Sequence, residues 1–285
     1  MVESAMFRKV RWLLSHSEFK KHPLAVSGGV FKWEFNKLLS RRSSLTLGDI
    51  ELYARPCDGN GRLICYFGTR FDELYEFLEH YLKPGMTFVD VGANIGSHTL
   101  HAARLVGRSG KVFAFEADPN TYQLLRENIE RNRAHNVKAR QVAVSDRSGA
   151  IDFYLTKDSA KSSTVYRDGY GKIEIECKLL DNILPGDVEV DILKIDVEGA
   201  DKEVLKGAAR LLSSRRAPKV IVTEILDIVD NVDHGDEIGE ILSGYEYELC
   251  KFEGGELVRV GKQRALNAYF VKRAVREDLA RPPVS

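Results

Sequence analysis

The amino-acid sequence predicts an α/β protein with a seven-stranded, mostly parallel sheet, one antiparallel edge strand and an N-terminal helical and β extension. A buried strand at residues 88–91 runs through a glycine-containing turn into a helix. Beyond it, strand and helix patterns alternate, which is typical of parallel strands that are covered on both faces. Two late strands with a short hairpin connection then indicate the antiparallel edge.

Length and composition restrict the class of protein. The chain has 285 residues, and its lysines and arginines equal its aspartates and glutamates at 42 each. This balance gives no net field that would attract nucleic acid, so no nucleic-acid partner is expected. No apolar run approaches the roughly 20 residues that span a bilayer, and no secretory signal is found. Because the four cysteines are scattered without a C-x-x-C pair, we predict reduced thiols and a cytoplasmic protein.

The chain divides into three predicted regions. An extension occupies residues 1–70, a cofactor-binding domain residues 71–275 and a tail residues 276–285. Residues 1–45 are basic and aromatic, with irregular apolar spacing. We expect this segment to dock as helices on the main domain, while a homodimer contact and a membrane surface stay open as alternatives.

Secondary structure is placed along the chain by periodicity and turn residues. In the extension, alternation predicts strands at 46–53 and 62–67 around a turn at Asp58–Gly61. Helices are predicted at residues 72–81, 120–133, from 199 to about 212, and 236–242. Strands of the main domain are predicted at 88–91, 112–115, 137–144, 191–195, 219–223, 245–251 and 267–272, with an inserted hairpin formed by 151–154 and 173–178.

The stretch from Phe88 to Ser97 indicates a cofactor site. Gly92 and Gly96 let the backbone of a turn approach a ligand closely, and the next strand ends in Glu116. An acid at that point can accept hydrogen bonds from both ribose hydroxyls of a nucleoside. Asn94 stands where a dinucleotide motif has a glycine, so the tight pyrophosphate turn is missing. S-adenosylmethionine, which carries no phosphate, is therefore favoured over NAD.

The sequence resembles the FkbM family of S-adenosylmethionine-dependent methyltransferases over roughly residues 66–272. The resemblance rests on VDVGANIG at 89–96, FEADP at 115–119, AVSD at 143–146, LD at 180–181 and LKIDVEGA at 193–200. It implies a Rossmann-like class I methyltransferase fold and methylation of hydroxyl oxygens on macrolide-type natural products or sugars. Family members often have a histidine shortly after the acid that ends the fifth strand. Here Glu224 is followed by Ile225, so that role is not carried over.

The predicted cofactor-binding residues are Asp90, Gly92, Asn94, Gly96, Glu116, Ala143 and Asp146. Asp90 is placed to approach the methionine ammonium, or alternatively to cap the loop amides. The backbone of the glycine loop is expected to donate to the methionine carboxylate, helped by the N-terminus of the next helix. Ala143 lies where a flat adenine ring fits, and Asp146 either accepts from the adenine amino group or fixes the turn.

The candidate catalytic residues are Lys194, Asp196, Glu198 and Glu224. They belong to the C-terminal ends of two strands that are expected to be neighbours, which is where ligands bind in parallel sheets. A carboxylate there can take a hydroxyl proton, and a lysine can hold a substrate oxygen. The alternatives are an ion pair between Lys194 and Asp196, and helix capping by Glu198. The three acids could also hold Mg²⁺, which we leave unassigned as a cofactor.

The predicted acceptor is a hydroxyl of a sugar, glycan or polyketide-like small molecule. A polar loop at residues 159–164 is a candidate lid over that acceptor. Methylation of nucleic acid or protein on the same fold is one alternative, against which stand the charge balance and the lack of an Asn-Pro-Pro-Tyr motif. A non-catalytic binding protein is another, and the acids retained at two strand ends argue against it.

Overall fold

The computed structural model describes residues 12–156, 162–165, 171–224, 234–261 and 267–275. The chain forms two compact units, Met1–Asp72 and Glu73–Ser285. In the described ranges no helix is long and apolar enough to cross a membrane. All four cysteines are free thiols.

The first unit combines helices with a small β-hairpin. Its elements are α1 (Ser17–Lys21), α2 (Pro23–Leu38), β1 (Ser43–Leu47), β2 (Ile50–Ala54), α3 (Gly59–Phe67) and a 3-10 turn (Gly68–Phe71). The buried side of α2 contains Val26 and Trp33. Gly29 lies on the same side, where a Cβ atom would be only 2.1 Å from the carbonyl oxygen of Cys65 in α3. The helices therefore pack backbone to backbone at this glycine.

Two strand predictions in this unit were wrong. The segment 46–53 is broken by a turn at 48–49, where Gly48 has a φ of 60° that favours glycine. Residues 62–67 form part of helix α3 rather than a strand. The side chain of Asp58 accepts a hydrogen bond from the Gly61 amide at 2.8 Å and so caps this helix. The Asp-Gly-Asn-Gly stretch is thus the start of a helix and not a hairpin turn. The apolar pattern of the six residues that follow it is too short to distinguish a helix from a strand.

The second unit is built around an eight-stranded sheet. Its strands are β3 (Thr87–Val91), β4 (Lys111–Glu116), β5 (Val137–Gln141), β9 (Ile192–Ile195), β10 (Val220–Thr223), β11 (Tyr247–Glu253), β12 (Glu256–Arg259) and β13 (Ala268–Lys272). Their order is β12-β11-β13-β10-β9-β3-β4-β5. The five adjacent strands β5, β4, β3, β9 and β10 are parallel to one another. Strand β13 is antiparallel to both of its neighbours, β10 and β11.

The predicted fold class is confirmed, with one strand more than expected. The additional strand is β12, which pairs with β11 in a hairpin at the outer edge of the sheet. Its turn contains Gly254 and Gly255, both with positive φ. The short segment 256–259 has a single buried residue, Leu257, so its pattern is too weak to predict a strand.

Helices cover the sheet and shorter elements complete the unit. The helices are α4 (Leu74–Tyr81), α5 (Ser97–Val106), α6 (Pro119–Arg131), α7 (Leu180–Ile183), α8 (Asp201–Lys206), α9 (Ala209–Leu212) and α10 (His234–Gly244). A small sheet contains β6 (Ala143–Val144), β7 (Gly149–Leu155) and β8 (Gly171–Lys178) in the order β6-β8-β7. The antiparallel pair β7 and β8 is the predicted inserted hairpin.

Both faces of the main sheet are buried, because the parallel strands alternate side chains between two apolar cores. Val89, Leu193 and Ile221 belong to one core, and Phe88 and Ile192 belong to the other. Strands buried on both faces read as continuous apolar runs, which is why 88–91, 191–195 and 219–223 could be recognised from the sequence. The C-terminal ends of these strands carry the polar residues of the site.

Candidate active site

The C-terminal ends of four parallel strands meet at one edge of the main sheet. Here β3 has β4 on one side and β9 on the other, and β10 follows β9. The chain runs outward from β3 to β5 and then returns to β9, so the winding direction reverses between β3 and β9. Such a switch point opens a crevice at the C-terminal ends of the strands, and it is the usual ligand position in open α/β sheets.

The loop after β3 depends on its two glycines. At Gly92, with φ of 80°, a Cβ atom would lie 1.9 Å from the carbonyl oxygen of Asp196. At Gly96, with φ of 90°, a Cβ atom would lie 2.5 Å from the side chain of Leu125. Asn94 is also left-handed, with φ of 51°, which asparagine tolerates better than most residues. The loop after β3 therefore lies in direct contact with the loop after β9.

The amides of the loop after β3 have acceptors within the protein. Those of Gly92 and Ala93 both donate to the Phe115 carbonyl oxygen, and that of Gly96 donates to the Ala93 carbonyl oxygen. The Ile95 amide donates to the side-chain oxygen of Asn94 at 2.7 Å. These donors are satisfied within the protein, and their contact with a methionine carboxylate stays a prediction. The first turn of α5, where helix amides lack intrahelical acceptors, is the alternative.

Glu116 lies at the end of β4 with its carboxylate turned toward the loop. One oxygen accepts from the amide of Asn94 at 2.8 Å, and the other accepts from the amide of Asp118 at 2.9 Å. Burial raises the pKa of Glu116 to about 7, and the two amides offset part of this effect. Each carboxylate oxygen has a further lone pair, so the group retains capacity to accept from a ligand.

Lys194 is buried between two carboxylates. Its Nζ lies 3.1 Å from Oδ1 of Asp90 and 3.2 Å from Oδ2 of Asp196. It also donates to the carbonyl oxygen of Gly92 at 3.3 Å. Burial lowers the pKa of Lys194, but the two carboxylates outweigh this effect and the pKa lies above its usual range. The ion pair that we weighed as the alternative for Lys194 is thus present in the structure.

Asp90 is fully buried at the end of β3. Its Oδ2 accepts from the hydroxyl of Thr99 at 2.6 Å, while Oδ1 faces Lys194. Both oxygens therefore have partners in the protein, and contact with a ligand ammonium stays a prediction. Asp196 differs, because its side chain is 28% exposed at the same sheet edge.

The loop after β9 is held by the inserted segment. Glu198 has φ of 54° and Gly199 has φ of 94°, so two consecutive residues are left-handed. Ser163, which is buried, donates from its hydroxyl to the Glu198 carbonyl oxygen at 2.8 Å. Val165 lies against Gly199, since a Cβ there would be 3.7 Å from the valine side chain. Helix α8 starts only at Asp201 and has no side-chain cap, so Glu198 does not cap it.

Glu224 follows β10 and faces an acidic neighbourhood. Burial raises its pKa to about 9, and the charges of Asp196 and Glu198 add to this effect. Nearby, Asp201 accepts from the Thr223 hydroxyl at 2.8 Å, and burial raises its pKa to about 7. With its pKa raised to about 9, Glu224 is mostly protonated at pH 7, and in that form it donates a hydrogen bond.

Two predicted cofactor residues lie in the segment after β5. The predicted strand 137–144 is divided, so that Ala143 belongs to β6 and pairs with β8 rather than continuing the main sheet. Its side chain is buried in a small apolar cluster with Phe153, Ile175 and Cys177. Asp146 is exposed and accepts from the Ser145 hydroxyl at 3.3 Å. An adenine contact of either residue remains a prediction.

The structure brings together Asp90, Lys194, Asp196 and Glu224, and places Glu116 on the other side of the glycine loop. Thr99, Asp201 and Thr223 join this network but were not predicted, because a single hydroxyl or a first-turn acid gives no periodic signal. Ser163, which belongs to the predicted 159–164 loop, joins it through the Glu198 carbonyl oxygen. Within the described residues, no group of three or more histidine, cysteine, aspartate or glutamate residues could hold a metal ion. The magnesium alternative therefore has no support in this part of the chain.

The sheet order, the glycine loop and the acid that ends β4 define a Rossmann-like fold of the methyltransferase type. The profile of the Methyltransferase FkbM domain matches residues 90–249. The chain belongs to this family of methyltransferases.

Three curated relatives share between 27% and 32% of their aligned residues with this chain. Hexuronic acid methyltransferase AglP of Haloferax volcanii is 32% identical over 61% of this chain and 70% of its own length. Methyltransferase sdnD of Sordaria araneosa is 31% identical over 42% of this chain and 59% of its own. 2-O-methyltransferase NoeI of Sinorhizobium fredii is 27% identical over 51% of this chain and 65% of its own length. The chain thus spans less than two thirds of the latter two proteins.

Among solved structures, the methyltransferase FkbM of Methylobacillus flagellatus matches with a TM-score of 0.46 and 18% identity. That match covers 74% of this chain and 53% of the other.

Proposed function

We propose that this protein uses S-adenosylmethionine to methylate a hydroxyl oxygen of a sugar, glycan or polyketide-like small molecule. The observation that carries the proposal is the contact between two loops at the switch point. The Gly92 loop holds Glu116 on one side and touches the backbone of Asp196 on the other. A candidate nucleoside-binding acid and a partly exposed carboxylate are thus separated only by a glycine loop.

Particular residues fit the cofactor. The free lone pairs of Glu116 suit the two ribose hydroxyls, and the first-turn amides of α5 suit the methionine carboxylate. The exposed segment at Asp146 is the remaining candidate for the adenine amino group. When bound, the cofactor supplies an activated methyl group on a sulfonium. The short distance between the Gly92 loop and Asp196 would bring that end of the cofactor near the acids.

The protein's own residues would then position and deprotonate the acceptor. Asp196 is the candidate general base, because it is the exposed carboxylate of the Lys194 pair. Lys194 offsets part of the negative charge of Asp90 and Asp196 and fixes the Asp196 carboxylate. Glu224, neutral at pH 7, is suited to donate a hydrogen bond to an acceptor oxygen. Glu198 would contribute its negative charge next to Glu224 in the candidate active site.

The names of two relatives favour an oxygen acceptor on a carbohydrate. AglP is named for a hexuronic acid, and NoeI is named a 2-O-methyltransferase. A sugar hydroxyl also suits a site with one base and one hydrogen-bond donor.

The direct test is transfer of a labelled methyl group from S-adenosylmethionine. Purified protein is incubated with uronic acids, neutral sugars, glycans and polyketide acceptors, and with RNA and protein as comparison substrates. We expect label in an O-methyl group of a small molecule or glycan, unchanged by a chelator. Label in a nitrogen or carbon atom, or only in RNA or protein, would overturn the acceptor proposal. If calorimetry shows no binding of S-adenosylmethionine, the proposal that the protein is a methyltransferase that uses this cofactor is wrong.

A further inference from the structure

Helix α2 of the first unit has two apolar faces, of which one is buried within that unit. Val26 and Trp33 are 0% and 2% exposed on the buried face. On the opposite face the exposed fractions are large, at 89% for Leu24, 72% for Phe31, 50% for Phe35 and 80% for Leu38. We call these last four residues the apolar stripe.

The apolar stripe is continuous along the helix. Its members are spaced by seven, four and three residues, which returns each side chain to the same face of an α-helix. The rings of Phe31 and Phe35 are stacked with centroids 6.0 Å apart. At about 1.5 Å per residue the stripe is about 21 Å long. An exposed apolar line of this size marks an interaction surface rather than scattered surface residues.

Positive charge accompanies the stripe. Residues 12–45 contain six lysines and arginines and two glutamates, although the whole chain is balanced. All six cations are exposed: Lys20, Lys21, Lys32, Lys37, Arg41 and Arg42. One of the two acids, Glu18, is buried and pairs with Arg70 at 2.9 Å and with Lys21 at 3.4 Å. The exposed surface around α2 therefore carries more cations than anions.

We propose that α2 binds the interface of an anionic lipid bilayer. Phenylalanine and leucine on one face with lysine and arginine around it is the pattern of helices that lie in a membrane plane. The apolar stripe would enter the boundary between headgroups and acyl chains, and the cations would face anionic headgroups. Lys20 and Lys21 before the helix and Arg41 and Arg42 after it would anchor both of its ends.

The charges favour lipid over a second copy of this chain. Antiparallel pairing of two stripes would place Lys20 and Lys21 of one copy near Arg41 and Arg42 of the other. Parallel pairing would align like charges directly. Such contacts repel, whereas an anionic bilayer satisfies all of them. This inference is independent of methyl transfer, since none of these residues belongs to the candidate active site.

The test is co-sedimentation of the full chain with vesicles of phosphatidylcholine alone or with phosphatidylglycerol. We expect binding only to the anionic vesicles, and weaker binding at high salt. The double variant Phe31→Ser/Phe35→Ser should bind about 100-fold more weakly, while Val258→Ser, an exposed apolar residue of β12, should bind normally. Arg41→Gln/Arg42→Gln should lose about tenfold or more, whereas Arg108→Gln/Lys111→Gln should not.

Two outcomes would overturn the proposal. One is wild-type protein that stays in solution with anionic vesicles. The other is normal binding by the Phe31→Ser/Phe35→Ser variant, given that its melting temperature matches that of the wild type. Light scattering tests the alternative that a second copy of the chain covers the apolar stripe. A wild-type dimer that the phenylalanine variant converts to a monomer, without vesicle binding, would assign the stripe to self-association instead.

Discussion

The hydroxyl of Ser163 donates to the carbonyl oxygen of Glu198 at 2.8 Å and thereby ties the inserted hairpin to the loop after β9. The same hydroxyl accepts from the amide of Val165 at 3.1 Å, and the backbone of Ser163 pairs with that of Tyr154. Glu198 and Gly199 are both left-handed, so this loop is one that neighbouring contacts must hold in place. The insert supplies one of those contacts.

We predict that Ser163→Ala lowers kcat for the acceptor while leaving cofactor affinity nearly unchanged. Loss of the hydrogen bond leaves the Glu198 carbonyl without this partner and loosens the loop that carries Asp196 and Glu198, at about 1–3 kcal/mol. Ser162→Ala is the matched control, because the Ser162 hydroxyl accepts from the amide of Thr156 within the insert. Equal kcat values in the two variants would contradict a positioning role for Ser163.

The lid proposed for residues 159–164 is affected by the same contacts. Residues 159–161 lie outside the described residues, but Ser163 is buried and bonded on both sides. The sequence showed a polar Ser/Lys-rich stretch and so favoured an exposed loop. It could not show that one serine of that stretch would be anchored 35 positions away on Glu198. Long-range side-chain contacts of this kind leave no periodic trace in a sequence.

Elements with strong periodic or terminal signals were predicted well. The parallel strands were recognisable because they are apolar on both faces, and the helix predicted at 120–133 is found as α6 from Pro119 to Arg131. Residues 62–67 were wrongly predicted as a strand, because the apolar positions of this short segment fit either a strand or the nine-residue helix that is observed. Within the site, strand ends placed Asp196 and Glu224 together, but the partners of Lys194 depended on burial that only the fold provides.

A second prediction concerns the pH dependence of cofactor binding. Burial raises the pKa of Glu116 to about 7, so the carboxyl is partly protonated at neutral pH. Ribose hydroxyls donate to the ionised form, so binding favours loss of the proton. The dissociation constant for S-adenosylmethionine should therefore fall as pH rises through about 7 and level off above it.

Calorimetry at several pH values measures this effect. Glu116→Ala should weaken binding by about 1.5–3 kcal/mol at high pH and remove the pH dependence. Glu130→Ala, which removes an exposed acid from α6, is the control for net charge. A pH-independent affinity in the wild-type protein would contradict the assignment of Glu116 to the ribose.

A third prediction concerns the stability of the buried ion pair. Lys194→Met should lower the free energy of unfolding by about 3–5 kcal/mol, because Asp90 would remain charged and buried without its cation. Adding Asp90→Asn to that variant should recover more than half of the loss, since the uncompensated charge is removed and the Thr99 contact is retained. Denaturant unfolding measures both effects.

The control for this experiment is Lys202→Met. Lys202 also forms an ion pair, at 3.0 Å from Glu237, but that pair is partly exposed and worth at most about 1 kcal/mol. A Lys194→Met variant as stable as Lys202→Met would show that the buried pair is not needed for folding. Lys194 would then be free for a direct role toward substrate.

The last prediction separates the roles of the two acids at the strand ends. Asp196→Asn should lower kcat by about 10²–10⁴-fold with little change in cofactor affinity, because it removes the candidate general base. Glu224→Gln should retain most of its activity at pH 7, because the glutamine amide replaces a carboxyl that is already protonated. Wild-type activity should decline as Glu224 ionises above about pH 9, and the Glu224→Gln variant should lack that decline. If instead Glu224→Gln is inactive at pH 7 while Asp196→Asn is active, Glu224 is the base and the two assignments are exchanged.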